Sequence, residues 1–270
     1  MPQIISEGII LKTVNWKENS QIVTFFTDNA GKQSIIDRGG RSMKTKRGRI
    51  QTFSRLEIGY FKSERSGMGY LSEVELLESF SLEKDGVLGR LAFASAALEL
   101  LYDLLPDDEP QTELYQITIQ FLRLTNSIPK NSLLPVFLAY FLKNLSYLGY
   151  RPNFAGCIAC GRGRKSAAIA GSGGENGPAS KFYFFTPERG GIVCSSCQIM
   201  GEHYIKLQAE RLDEIYSLQI ASLAEAGAIS ISMKEGENIL ELLTGFLKFQ
   251  TDVREFNSLK FLRDLRKVQG

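Results

Sequence analysis

Histidine is almost absent from this chain, since His203 is the only one in 270 residues. Catalytic sites of the Ser-His-Asp or Cys-His kind need a histidine base, so such chemistry would have to run through this one residue. The HExxH motif of zinc peptidases needs two histidines and is excluded. The zinc-deaminase pattern, HxE followed by PCxxC, is missing as well. We expect His203 to be an ordinary surface residue.

The chain also lacks GxxxxGK[ST], the loop whose backbone N–H groups cradle phosphates in nucleotide-hydrolysing proteins. Carboxylates are plentiful, but no pair of them stands out for acid–base catalysis. The sequence therefore predicts neither an ATPase nor any other enzyme.

Long hydrophobic runs are missing too. No stretch of about 18 apolar residues occurs, so we expect no segment that spans a membrane. The first residues, MPQIISEGIILK, lack the charged start and the cleavage site of a signal peptide. These absences predict a cytoplasmic protein.

The first 80 residues read as short β-strands separated by turn residues. The predicted strands are EGIILKTV (7–14), QIVTFFTD (21–28), KQSIIDR (32–38), FSRLEIGYF (53–61) and MGYLSEVELLE (68–78). Five strands in so short a segment favour a small closed barrel, the OB-fold.

The connection between the third and fourth strands, DRGGRSMKTKRGRIQTF (37–53), is strongly basic. It carries six cations and no acid from Arg38 to Arg49, although the whole chain has 32 Lys and Arg against 30 Asp and Glu. Clustered cations repel each other until anions bind, and nucleic-acid phosphates are such anions. Its glycines would allow close backbone approach. The predicted DNA contacts are Arg38, Arg41, Lys44, Lys46, Arg47 and Arg49.

OB-fold loops border a face on which aromatic side chains can stack with the bases of a single strand. The candidates are Trp16, Phe53, Tyr60 and Phe61, although each such residue belongs more often to a core. No base-reading helix is evident, so we expect little sequence specificity.

From residue 85 onward the hydrophobic period becomes that of α-helices. Helices are predicted from 85 to 105, over 111–126, from 131 to Gly149, and over 204–218, 234–249 and 254–267. The predicted fold is therefore α+β. It comprises an OB-fold domain (1–80), an α-helical domain (81–150 and 204–270) and a module inserted in the helical domain (151–203).

All four cysteines lie in the inserted module. Cys157 and Cys160 form one CxxC, and Cys194 and Cys197 form a second, with 33 residues between the pairs. Two such knuckles supply the four ligands of a closed structural Zn²⁺ site. Metal binding would contribute on the order of 10 kcal/mol to the folding of a small, glycine-rich module.

Three other interpretations of the cysteines compete with structural zinc. A disulfide framework is unusual in a cytoplasmic chain, and a redox motif needs only one CxxC. A catalytic zinc would keep an open coordination position, and four thiolates leave none. Basic residues of this module could extend a nucleic-acid surface, or could simply be solvated: Arg151, Arg162, Arg164, Lys165, Lys181 and Arg189.

The order of these parts resembles the bacterial recombination mediator family RecO. The resemblance rests on EGIILKT opening the barrel, on GGRSMKTKRGRIQTFSRLEI, and on FxGCxxCG (154–161) followed by FxPxxGGxxCxxC (185–197). It covers essentially the whole chain. It implies an N-terminal OB-fold, and a helical domain that bears a zinc-finger-like module.

The resemblance also implies a function. RecO-like proteins bind single- and double-stranded DNA and anneal complementary strands without ATP. With RecR they help RecA load onto DNA covered by single-strand binding protein (SSB), as part of the RecF pathway of repair of DNA damage. The basic residues would be family DNA contacts, the cysteines family metal ligands, and the SSB C-terminal tail a partner. Such a protein would be nucleoid-associated.

Two alternatives from other classes stay open at this point. One is an RNA-binding or ribosome-associated zinc-ribbon protein, in which barrel and knuckles grip structured RNA. The other is an enzyme that uses an unrecognised site.

Overall fold

The computed structural model describes residues 2–42, 50–62, 67–82, 86–164, 182–251 and 256–261. Residues 1–133 with 256–270 form one compact unit, and residues 134–255 form the other. Among the described helices, none is long and apolar enough to cross a membrane.

The first unit begins with a closed five-stranded barrel. Its strands are β1 (Ile4–Trp16), β2 (Ser20–Thr27), β3 (Gly31–Asp37), β4 (Ser54–Lys62) and β5 (Gly69–Ser79). They are ordered β1-β2-β3-β5-β4, and all pairs are antiparallel except β3 with β5. The five predicted strands and the OB-like barrel are confirmed.

The barrel closes around side chains that alternate along each strand, as a half-buried strand requires. Its buried cluster consists of Ile10, Val23, Phe25, Ile35, Leu56, Ile58, Tyr60 and Leu71. A bulge between Ile10 and Lys12 shifts the pairing of β1 with β2, and such a bulge bends the strand.

The barrel is followed in this unit by two long helices, α1 (Val87–Leu104) and α2 (Thr112–Ser127). The buried Arg90 of α1 donates hydrogen bonds to the carbonyls of Thr125 and Ile128, which satisfies acceptors at the C-terminus of α2. The Glu99 carboxylate accepts from the N–H groups of Asn257 (2.9 Å) and Ser258 (2.8 Å), and so caps a helical stretch over 257–261.

The second unit combines helices with a small sheet. Its helices are α3 (Leu133–Tyr147), α4 (Ala209–Ile220), α5 (Leu223–Ala226) and α6 (Met233–Gln250). The first residue of α3, Leu133, is counted with the first unit. The antiparallel sheet has the order β7-β6-β8, with β6 Phe182–Thr186, β7 Gly191–Val193 and β8 Ile205–Gln208. Helix α6 packs closely on α3, since a Cβ at Gly236 would lie 2.4 Å from Leu134 Cδ2.

The predicted helices are found with one error and one omission. The helix predicted over 204–218 begins too early, because residues 205–208 form β8, which pairs with β6, and α4 begins only at Ala209. The short helix α5 was not predicted. Of the helix expected over 254–267, residues 257–261 are helical, while 254–255 and 262–267 lie outside the described residues. The predicted domain boundaries differ from the two compact units and stay a prediction.

Candidate nucleic-acid interface and metal centre

The β3–β4 connection leaves the barrel beside the turn between β1 and β2. The Arg41 N–H donates to the Asn19 carbonyl (3.3 Å), and its Nη1 donates to the carbonyls of Glu18 (3.3 Å) and Lys17 (3.5 Å). These bonds bring residues 17–19 and 38–42 together at one end of the barrel. We name these two segments the basic end, because Lys17, Arg38 and Arg41 are all exposed there.

Two adjacent glycines shape the start of this connection. Gly39 has a φ of +74°, a conformation that favours glycine. At Gly40 a Cβ would lie 1.7 Å from Oδ2 of the buried Asp37, whose carboxylate also accepts from Gln21 Nε2 (3.0 Å). The close approach that Gly40 permits is therefore to the chain's own Asp37.

Of the six predicted DNA contacts, the structure places two. Arg38 and Arg41 lie together at the basic end. The other four, Lys44, Lys46, Arg47 and Arg49, lie outside the described residues. All six stay predictions as contacts with DNA.

The aromatic candidates have different environments. Tyr60 is wholly buried in the barrel core, and this burial raises the pKa of its hydroxyl; it cannot stack with a base. Trp16 is half-buried, with Lys17 Nζ 4.3 Å from its ring centroid. Phe53 is half-buried, and Phe61 is 37% exposed.

Sequence reasoning missed Tyr70, whose ring centroid is 4.5 Å from the guanidinium carbon of Arg38. A signal was available in the alternation of GYL at the start of β5. Leu71 is buried in the barrel core, so its neighbour Tyr70 must face outward.

The four cysteines come together in the second unit. Their Sγ atoms all lie within 4.8 Å of one another, and the Sγ atoms of Cys160 and Cys194 are 3.9 Å apart. A tetrahedral Zn²⁺ with bonds of about 2.3 Å separates its sulfurs by about 3.8 Å. Four soft thiols at this spacing fit Zn²⁺ and leave no open position.

Backbone hydrogen bonds hold the two knuckles. The Cys157 N–H donates to the Arg162 carbonyl (2.8 Å), and the Gly161 N–H donates to the Cys157 carbonyl (2.9 Å), at a φ of +70° for Gly161. The Cys197 N–H donates to the Cys194 carbonyl (3.0 Å). The knuckles also join each other, because the Ile158 N–H donates to the carbonyl of Ile192 in β7 (2.9 Å).

The environment of the sulfurs favours a thiolate at one position. Burial raises the pKa of Cys157, but hydrogen bonds from the N–H groups of Cys160, Cys194 and Ala159 outweigh burial and lower this pKa to about 6. Hydrogen bonding to the sulfurs of Cys194 and Cys160 raises the pKa of Cys197 to about 12. A metal must displace the remaining thiol protons, so its affinity would fall in acid.

The cations of the cysteine module are partly engaged within the unit. Arg164 forms an ion pair with Asp213 and lies over the Tyr216 ring at 4.1 Å. Arg189 pairs with Glu202 at 3.8 Å. Arg151 and Arg162 are exposed, and Lys165 and Lys181 lie outside the described residues. His203 is exposed too, which confirms the prediction of a surface histidine. Arg164 and Arg189 are therefore weaker candidates for phosphate contacts than the basic end.

Comparison with known proteins agrees with this architecture. A family model described as "Recombination protein O N terminal" matches residues 1–80, and one described as "Recombination protein O C terminal" matches residues 86–260. The chain belongs to the recombination protein O family. The first match ends just after β5 and the second begins just before α1. The resemblance inferred from the sequence is confirmed.

Curated relatives extend over nearly the whole chain. A protein named DNA repair protein RecO from Symbiobacterium thermophilum is 30% identical over 264 residues, covering 97% of this chain and 98% of that protein. A protein of the same name from Desulfatibacillum aliphaticivorans is 29% identical over 270 residues, covering 99% of each. The RecO of Listeria innocua is 24% identical over 265 residues, covering 98% of this chain and 95% of that protein.

Proposed function

We propose that this protein is a DNA-binding recombination mediator that holds DNA at the basic end of its barrel. Membership of the recombination protein O family supports a role in DNA repair and recombination. The observation that carries the DNA-binding site is Arg41, whose hydrogen bonds join the β3–β4 connection to the β1–β2 turn. Three exposed cations thereby converge on one end of the barrel.

The chemistry of these cations suits phosphate. A guanidinium has five N–H donors in a planar fork. In Arg41 the Nη1 group contacts two backbone carbonyls, so the remaining donors are able to meet phosphate oxygens. Lys44, Lys46, Arg47 and Arg49 follow directly in the chain and would add up to four phosphate contacts. Their binding would release counterions and so depend on salt.

The proposed action is physical and not catalytic. A protein that neutralises phosphates of two strands lowers the repulsion between them and raises their local concentration, so complementary bases pair without ATP. We extend the proposal to both single- and double-stranded DNA, to cooperation with RecR, and to RecA loading on SSB-covered DNA through the SSB tail. Family membership supports these partners, and no surface is assigned to them.

We also propose that Zn²⁺ is a structural cofactor of this protein. The donor set of Cys157, Cys160, Cys194 and Cys197 would hold one Zn²⁺. The ion would supply a tetrahedral cross-link between the two knuckles, in a module whose local hydrophobic cluster is small.

The test is fluorescence anisotropy of a labelled single-stranded DNA oligomer over a salt series. The loop variant carries Lys44→Ala, Lys46→Ala, Arg47→Ala and Arg49→Ala. The control variant removes the same charge at four exposed cations outside the barrel: Lys130→Ala, Arg151→Ala, Lys234→Ala and Lys248→Ala. Both leave Arg41 and its hydrogen bonds intact.

We expect the loop variant to bind weakly and to lose about 0.7 of log–log salt slope for each phosphate contact removed. The control variant should bind like the wild type. Equal salt slopes for the loop and control variants would show that the DNA site does not lie in the β3–β4 connection. A preference of the wild type for structured RNA over DNA would favour the RNA-binding alternative.

A further inference from the structure

Two aromatic side chains lie side by side on the outer face of the barrel, next to the basic end. Tyr70 of β5 is the direct cross-strand partner of Phe61 in β4. Tyr60 and Leu71, the chain neighbours of this pair, both point into the barrel core. Phe61 and Tyr70 therefore face outward together, and Phe61 is 37% exposed.

Arg38 extends this pair with a cation. It is exposed and directly follows β3, the strand on the other side of Tyr70, where Ile36 is the parallel partner of Tyr70. Its guanidinium carbon is 4.5 Å from the centroid of the Tyr70 ring. Arg38, Tyr70 and Phe61 thus form a row across the adjacent strands β3, β5 and β4.

Of the two outward-facing rings Phe61 is exposed and Tyr70 is half-buried, and a cation beside such rings is an arrangement that proteins use to bind single strands. The cation meets the backbone phosphate, and each ring offers a flat face to a base. A purely structural aromatic pair would also stabilise the sheet. It would, however, have no influence on whether the protein distinguishes single strands from duplexes.

We propose that Tyr70, with Phe61 beside it, is a base-stacking surface for single-stranded nucleic acid, and that Arg38 covers Tyr70 in the free protein. A phosphate would draw the guanidinium off the ring, and the adjacent base would take its place. Bases of a duplex stay stacked on each other, so a duplex gains the phosphate contact alone. The row would thus favour single strands. This inference rests on the proposed DNA binding.

The experiment measures the affinity of the full chain for a single-stranded oligomer and for a duplex of the same length. Three variants are compared: Tyr70→Leu removes the ring, Tyr70→Phe keeps it, and Tyr147→Leu removes a tyrosine that is 44% exposed on α3. Tyr70→Leu should weaken single-strand binding about tenfold, within the range found for one base stacked on an aromatic ring. Its duplex affinity and its salt slope should match the wild type, because no charge is lost.

The controls separate this inference from the proposed function. Tyr70→Phe and Tyr147→Leu should both bind single strands like the wild type. If the wild type binds DNA and Tyr70→Leu binds single strands equally well, the stacking surface is refuted while the DNA-binding function stands. An equal loss of single-strand and duplex binding would also refute it, since Tyr70 would then only position Arg38. If the wild type binds no DNA, both proposals fall.

Discussion

Gly40 shows how a single residue fixes the path of the basic connection. Its missing side chain leaves room for the carboxylate of Asp37, which is only 4% exposed and is hydrogen-bonded to Gln21. We predict that Gly40→Ala lowers the free energy of unfolding by about 1–3 kcal/mol, because the new Cβ would meet the buried carboxylate and displace it. Urea unfolding followed by circular dichroism measures this change.

Gly89→Ala is the matched control for this substitution. A Cβ at Gly89, inside α1, would meet no atom within 4 Å, and alanine favours a helix over glycine by up to about 1 kcal/mol. This variant should be as stable as the wild type or more stable. A Gly40→Ala variant with unchanged stability would show that Asp37 and Gly40 do not approach so closely in solution.

At the scale of single residues, charge density in the sequence pointed to the β3–β4 part of the basic end but not to Lys17 or to the contacts that its members make. Arg38 and Arg41 were predicted from charge density alone, which needs no knowledge of neighbours. The bonds of Arg41 to the β1–β2 turn depend on which loops the barrel brings together, and no local pattern encodes them. Tyr60 and Tyr70 have the same side chain, and only the strand register separates the buried ring from the outward one.

Strands were predictable where the alternation of apolar and polar residues continues over several residues, and helices where their apolar periodicity continues over several turns. The five barrel strands and the long helices meet that condition. The four-residue β8 does not, because the alternation of Ile205, Lys206, Leu207 and Gln208 is short and leads straight into α4. Its strand conformation comes from pairing with β6. The omitted α5 carried a readable signal, since Ser222 and Glu225 form a capping box.

The paired knuckles form an element whose stability should depend on metal. We predict about one Zn²⁺ per wild-type chain, measured by atomic absorption, and a marked loss of zinc in Cys160→Ser. Cys160 is exposed, so its substitution removes a ligand without opening a cavity. Chelation of the wild type should make the segment that includes β6, β7 and β8 sensitive to limited proteolysis, because the cross-link between the knuckles is then lost.

Ser196→Ala is the control for the cysteine substitution, since Ser196 is an exposed residue between the two cysteines of the second knuckle. It should keep full zinc content and protease resistance. Full zinc content in Cys160→Ser would show that the metal is held by another ligand set, and the proposed tetrathiolate site would be wrong.

At the scale of the whole molecule, the near balance of 32 Lys and Arg against 30 Asp and Glu matters less than where the cations lie. A net charge of +2 gives little general attraction to DNA. Binding should therefore be confined to places where cations outnumber acids. In the basic end three cations, Lys17, Arg38 and Arg41, stand against one acid, Glu18, and the sequence continues with four more cations and no acid up to Arg49. Local charge, and not total charge, should then govern activity.

Strand annealing tests this conclusion on the complete protein. We predict that the wild type accelerates pairing of two complementary oligomers without ATP, followed by quenching between dyes on the two strands. High salt should abolish the acceleration, because counterion release no longer favours binding. The loop variant should lose most of it and the control variant should keep it, although both carry the same net charge. Equal annealing by the two variants would show that annealing follows total charge or another surface, and a requirement for ATP would contradict a purely electrostatic mechanism.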